Sequence, residues 1–298
     1  MSLSYKILWI DDNPKTITSK EGQIKTFIEE QGFRSDITII ENGKDIDSYL
    51  SHPLLDLIIT DYKIHDDLDG KQLAEKIRQS GLMIDIILYS QVAGTDLYKE
   101  VGALDGVYIS NREGLEDKIK GVIEITIRRA QRVTNMRGIM ISEGIDIENQ
   151  IEDIILSYYD TREKELAKVL LSGDGCNELG PKIRFLNSTL KDIVATIKNS
   201  ADATEKKMLQ DIELLLGTAK KLENEVCKPR NILAHVEHTI DKNTIFLKSL
   251  KTGYEDIKID SACCKDMRQL FMKHASNLNQ IKDFLSKWHE YKKKEQKG

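Results

Sequence analysis

Three apolar runs near the start of the chain stop at acidic or hydroxylated side chains, and the alternation they belong to leaves few folds open. Residues 7–10 end at Asp11 and Asp12, residues 55–59 run on to Asp61, and residues 84–88 end beside Ser90. Ile24, Phe27 and Ile28 are spaced as one helical face, as are Leu73 and Ile77; residues 37–40 and 107–109 read as two further strands, and a helix opens at Leu115. Short strands alternating with helices predict an α/β domain built on a doubly wound, five-stranded parallel sheet, whose site lies at the carboxyl ends of the strands. Asp11, Asp12, Asp61 and Ser90 all fall on that edge. Carboxylates gathered there repel one another unless a hard cation joins them, and Mg2+ favours a few carboxylates completed by water and phosphate oxygens. The pattern predicts a metal-assisted phosphoryl acceptor.

Through Asp11, Asp12, the run Asp56-Leu-Ile-Ile-Thr-Asp61, Gly70 and Ser90, residues 5–130 resemble the receiver domains of two-component response regulators. The resemblance implies a flavodoxin-like fold in which Asp11 and Asp12 form the acidic pair, Asp61 is the phosphoacceptor, Ser90 is the switch hydroxyl and Gly70 is the glycine of the following loop. It also implies Mg2+ held by Asp11, Asp12, Asp61 and the backbone carbonyl of Lys63, and a histidine kinase or other phosphodonor as partner. Two departures stand out. The family places a Lys after its fifth strand, but no Lys lies between Lys99 and Lys118; Ser110 or Asn111 takes the position, and Arg112 is the nearest cation. The loop from Asp61 to Gly70 is one residue longer than usual and lacks the common Pro. With Asp11, Asp12, Asp61 and Ser90 retained, the acceptor is expected to work, with slower phosphorylation or a less tightly read phosphorylated state.

The second half carries a different cluster, Lys228-Pro229-Arg230-Asn231-Ile232-Leu233-Ala234-His235. Pro229 cannot donate a helical hydrogen bond and pushes Lys228 out of the α region, so a break followed by a new helix is expected. Arg230 and Asn231 would then sit at a helix N-terminus, which suits a phosphate. Asn231 and His235, four apart, share a face, and Arg230 lies one step round the cylinder. Beside a bound phosphodiester, His235 can take a proton from a sugar hydroxyl or give one to a leaving oxygen, and Arg230 can stabilise developing charge. With no zinc-type ligand cluster nearby, the chemistry implied is metal-independent RNA cleavage by 2'-hydroxyl attack.

An Arg followed by a polar residue and then by a His at this spacing resembles the Arg-x4-6-His motif of the HEPN family. The approach segment Glu-Leu-Gly-Pro-Lys-Ile-Arg-Phe-Leu at residues 178–186, the long helix before the motif, and the hairpin and closing helix after it add to the likeness. The resemblance implies a mainly α-helical bundle that forms a homodimer, with two motifs facing each other in one ribonuclease site. RNA is the implied substrate, Arg230 its phosphate ligand, His235 the general acid or base, and Asn231 the group that orients the substrate or His235. Stress or phage defence is the implied setting. Members of the family also act as inactive binding modules, so a signalling adaptor with a non-catalytic helical half is the competing expectation.

The remaining sequence bounds these readings. The chain of 298 residues allows two ordinary domains, with a receiver over 1–130, a helical linker over 131–143 and the HEPN-like domain over 144–298. Residues 115–137 read as one basic helix, Gly138 and Gly144 as brackets of a turn, residues 147–158 as a helix with Glu148 and Glu152 beside its apolar stripe, and 166–171 as further helix. Residues 182–198, 205–226 and 263–289 read as helices, and 244–250 with 254–259 as a small hairpin. Residues 1–130 hold 16 Lys and Arg against 23 Asp and Glu, a formal charge of −7, which leaves +2 for the rest. The first half is thus a poor nucleic-acid ligand, while the second tolerates RNA. No helix-turn-helix pattern points to DNA. Cys176, Cys227, Cys263 and Cys264 fit neither a zinc site nor a disulfide framework, so a reducing cytoplasm is expected; no run approaches the ~18 apolar residues of a membrane helix.

Overall fold

The computed structural model describes residues 3–42, 46–50, 55–64, 69–90, 97–101, 104–130, 133–159, 178–241, 244–247 and 257–295. The chain divides into two compact units, Met1–Asn135 and Met136–Gly298.

In the first unit, β1 (Ser4–Ile10), β2 (Arg34–Ile40), β3 (Leu57–Asp61), β4 (Asp85–Ser90) and β5 (Val107–Asn111) form a parallel sheet in the order β2-β1-β3-β4-β5. The helices are α1 (Thr18–Glu30), α2 (Ile46–Leu50), α3 (Gly70–Gln79), α4 (Leu97–Val101) and α5 (Leu115–Ala130). This is the doubly wound α/β fold expected from the sequence. Central strand β3 is buried throughout, as befits a strand covered on both faces, whereas edge strand β2 alternates between exposed and half-buried positions. Ile24 and Ile28 of α1, and Leu73, Ala74 and Ile77 of α3, pack inward. Burying each of the leucine and isoleucine side chains stabilises the unit by about 1.5–3 kcal/mol. Asp69 and Gln72 close a capping box at the start of α3, and Gly81, at φ 81°, follows its last turn.

The second unit holds most of α6 (Val133–Tyr158), with α7 (Leu179–Asn199), α8 (Ala203–Ala219), α9 (Lys228–His235), α10 (Ser261–Glu295) and a small antiparallel sheet of β6 (His238–Asp241), β7 (Thr244–Leu247) and β8 (Ile257–Ile259). Leu179, Ile183, Leu186, Leu190, Ile193 and Ile197 give α7 a buried stripe, and Phe271, Leu278, Ile281, Leu285 and Trp288 give one to α10. Between α6 and α7, Lys182 lies 2.6 Å from Glu148 and also pairs with Glu152. No described helix is long and apolar enough to cross a membrane.

Several local expectations are corrected. Gly138 and Gly144 lie inside α6 rather than bracketing a turn: the apolar stripe Met136, Ile139, Met140, Ile147 and Ile151 is buried continuously, and that packing outweighs the helix cost of glycine. Of the helix expected over 115–137, α5 runs to Ala130 and α6 opens at Val133, and residues 131–132 lie outside the described residues. The hairpin gains a third strand, β6, because Thr239 and Ile240 pair with β7. Residues 160–177, with the helix expected at 166–171 and Cys176, lie outside the described residues, as do 65–68 and 248–256.

Candidate functional site

The registers of the parallel sheet bring the ends of β1, β3 and β4 to one edge. Asp61 pairs with Tyr89 across β3 and β4, and Ser90 with Asn111 across β4 and β5. Asp11, Asp12 and Asp61 each present an oxygen there, all within 4.8 Å of one another. Asp11, Asp61 and Ser90 are buried, and Asp12 is half-buried. The Asp11 Oδ1 accepts from the Asn13 backbone N–H at 2.7 Å, and the Asp61 Oδ1 accepts from that of Lys63 at 3.1 Å. The N–H of Gly70 donates to the Tyr62 carbonyl, and a Cβ on Gly70 would lie 2.7 Å from the Asp61 carbonyl oxygen and 2.6 Å from Leu88 Cδ2. Only glycine lets the following loop come this close to the strand end.

Two further residues complete the cluster: Arg112, which the sequence offered only as the nearest cation in place of the family's Lys, and Tyr89, which it did not single out. Arg112 reaches back from beyond β5, its Nη2 lying 3.0 Å from Asp61 Oδ2 and 3.3 Å from Asp11 Oδ2. The hydroxyl of Tyr89 donates to Asp11 Oδ2, and Trp9 Nε1 donates to the Tyr89 oxygen at 3.1 Å. The guanidinium carbon of Arg112 lies 5.8 Å from the centre of the Tyr89 ring. The available signals were that Arg112 is the first cation after β5 and that Tyr89 adjoins Ser90. Burial pushes the Asp61 carboxyl above the usual carboxylate range, the Lys63 N–H and Arg112 pull it down, and Asp11 and Asp12 push it up. Burial and the bond to Asp11 hold the Tyr89 phenol protonated, so it is a fixed donor.

An all-oxygen set of three carboxylates suits a hard, six-coordinate cation, and the backbone carbonyl of Lys63 is the fourth oxygen that the receiver resemblance implies. Arg112 supplies part of the positive charge that such a set requires.

The second cluster differs from expectation at its entrance. Lys228 is helical, at φ −63° and ψ −50°, and its N–H donates to Glu223 O across a π turn over Glu223–Cys227. The wider turn takes up the missing N–H and the bulk of Pro229, so the chain needs no break there. Arg230 and Asn231 are therefore not at a free helix N-terminus, and the dipole-based case for phosphate binding at that point falls. Asn231 is exposed; its Oδ1 accepts from Arg230 Nη1 at 3.1 Å and its Nδ2 lies 3.7 Å from Cys227 Sγ. Its amide holds the guanidinium. Arg230 is half-buried and lies over Gly144, where a Cβ would come 3.1 Å from Arg230 Cγ. His235 and His238 are exposed. Arg137 Nη2 donates to the Val236 carbonyl at the end of α9, and His274, buried in α10, holds Glu225 of the π turn at 2.7 Å. Cys227 and Cys264 are buried and reduced, and Cys263 is half-buried and reduced.

No protein-family model matches the chain, and no curated protein is significantly similar to it. Solved structures of receiver domains are similar in fold. The Francisella response regulator 1452 receiver domain is 21% identical over 43% of this chain and 99% of its own, with a TM-score of 0.36. A response regulator receiver domain protein from Clostridium thermocellum is 20% identical over 42% and 95%, TM-score 0.34. A two-component response regulator from Clostridium difficile is 24% identical over 41% and 97%, TM-score 0.32.

Proposed function

We propose that this chain is a response regulator whose Asp61 accepts a phosphoryl group and whose helical unit is a ribonuclease output centred on Arg230 and His235. The observation that carries the first half is the convergence of Asp11, Asp12 and Asp61 oxygens within 4.8 Å at the carboxyl edge of the sheet. An Asp61 carboxylate oxygen attacks the donor phosphorus; the new P–O bond forms as the bond to the donor's leaving group breaks. The donor is a histidine kinase or a small acyl phosphate. Asp11, Asp12, Asp61 and the Lys63 carbonyl would hold Mg2+, which would supply charge to bind and polarise the phosphoryl oxygens. The Lys63 N–H fixes the rotamer of Asp61, Asn13 and Tyr89 fix Asp11, and burial keeps water from the acyl phosphate.

For the output, support comes from the Arg230-x4-His235 motif, with a guanidinium steadied by Asn231 and an accessible imidazole on one short helix. A ribose 2'-hydroxyl attacks the adjacent phosphorus and the bond to the 5'-oxygen breaks, leaving a 2',3'-cyclic phosphate and a free 5'-hydroxyl. His235 accepts the 2'-proton or donates to the leaving oxygen, and Arg230 binds the phosphate. A homodimer would bring two such motifs together, and phosphorylation of Asp61 would govern their activity.

The test has two independent arms. Mg2+-dependent labelling by acetyl phosphate is expected in wild type and lost in Asp61→Asn; labelling that persists in the variant refutes the acceptor. Labelled RNA is expected to be cut by wild type and spared by Arg230→Ala and His235→Ala. Wild type that leaves RNA intact, with or without the phosphodonor, makes the helical unit a binding module instead.

A further inference from the structure

Helix α6 places a second cation beside α9. Arg137 and Gly144 are seven residues apart, close to two helical turns, so they lie on one face of α6 about 10 Å from each other. The Arg230 side chain lies over Gly144, and Arg137 Nη2 donates to the Val236 carbonyl just past His235. The two helices therefore run side by side in opposite directions, with a guanidinium at each end of the eight-residue α9.

Neither arginine forms an ion pair with a described residue, Glu237 beside Val236 included; their polar contacts are with the Val236 carbonyl and the Asn231 amide oxygen. Both side chains are half-buried, and the Nε of each is shut off from solvent without an acceptor among the described residues. Two like charges that give up hydration with no carboxylate to answer them raise the energy of the site, and an anion that spans them lowers it again. Holding one carbonyl takes one of the five donors of Arg137, so closing the end of α9 does not exhaust it.

We propose that Arg137 is a second phosphate ligand of the RNA site. Arg230 holds the scissile phosphate and Arg137 the neighbouring one on the His235 side, so that a single strand lies along α9 with two successive phosphates engaged. This inference rests on the reading of the helical unit as an RNA-cutting output.

The test uses the full-length chain and a short, labelled, single-stranded oligoribonucleotide with every 2'-hydroxyl methylated, which cannot be cut. Its affinity is followed by fluorescence anisotropy over a series of salt concentrations. Arg137→Gln, whose amide can still donate to Val236, is expected to bind about tenfold more weakly and to flatten the slope of log affinity against log salt by about 0.7, the share of one phosphate on a single strand. Arg137→Lys keeps the charge and is expected to keep most of the slope. In wild type, the bound oligonucleotide is expected to protect Arg137 from butanedione, as read by mass spectrometry, which needs no variant to fold. Equal slopes in wild type and Arg137→Gln, a slope lost equally in Arg137→Lys, or equal modification with and without the oligonucleotide overturns the phosphate role and leaves Arg137 as a cap on α9. Wild type that does not bind the oligonucleotide at any salt concentration removes the RNA reading itself, and this inference with it.

Discussion

Gly144 of α6 leaves the space that the Arg230 side chain fills: a Cβ at that position would lie 3.1 Å from Arg230 Cγ and 3.4 Å from its Nε. Alanine there suits the helix, by up to about 1 kcal/mol, yet forces the guanidinium to shift. Gly144→Ala is therefore expected to melt at or above the wild-type temperature while cutting RNA about tenfold more slowly, since small misplacement of a phosphate-binding group is costly. Calorimetry beside a cleavage assay checks this; unchanged cleavage in the folded variant would show that the position of Arg230 does not matter.

Gly70 and Gly22 make a contrasting pair. A Cβ on Gly70 would lie 2.6 Å from Leu88 Cδ2 and 2.7 Å from Asp61 O, whereas one on Gly22 would meet nothing within 4 Å. Gly70→Ala should lower stability by about 1–3 kcal/mol through overpacking, and Gly22→Ala, inside α1, should raise it by about 0.5–1 kcal/mol. Urea unfolding of the two variants gives the comparison.

Lys182 joins α7 to α6 by pairing with Glu148 and Glu152. Burial works against its charge, but the two carboxylates more than offset this and raise its pKa. That contribution is complete below the ordinary lysine range and is lost as pH rises through the higher folded value. Lys182→Ala should cost about 1–3 kcal/mol at neutral pH, with the gap to wild type closing only in strong alkali. Adding Glu148→Gln and Glu152→Gln should restore part of the loss, as read by denaturant unfolding across pH.

Asp61 shifts stability in the same direction with pH, but here it is the charged form that the fold disfavours. Burial raises its carboxyl above the unfolded value despite Lys63 and Arg112, so the folded chain holds the proton more tightly and loses stability as the group ionises with rising pH. Asp61→Asn, without metal, is expected to be more stable than wild type at neutral pH, and the gain should vanish below about pH 4. Thermal melts from pH 3.5 to 7.5, a range of about four units around the carboxylate values, decide it.

The sheet was legible because each central strand is a short apolar run that stops at a polar side chain, and Asp11, Asp61 and Ser90 sit where those runs end. Arg112 and Tyr89 were not, since their reach into the cluster depends on strand register and side-chain direction rather than on spacing. Pro229 misled for a similar reason: local rules allow a break or a widened turn, and tertiary contacts such as His274 to Glu225 accompany the second. Gly144 read as a turn because only the packed structure shows Arg230 lying over it.

The π turn at Glu223–Cys227 sets the rotational phase of α9. One surplus residue there swings Arg230, Asn231 and His235 by about 100° relative to the preceding coil of the chain. Deleting any one of those five residues would leave the motif spelled as before but aimed elsewhere. Spelling and aim are separate properties of this segment, and relatives that share the letters but lack the extra residue would point them at a different surface.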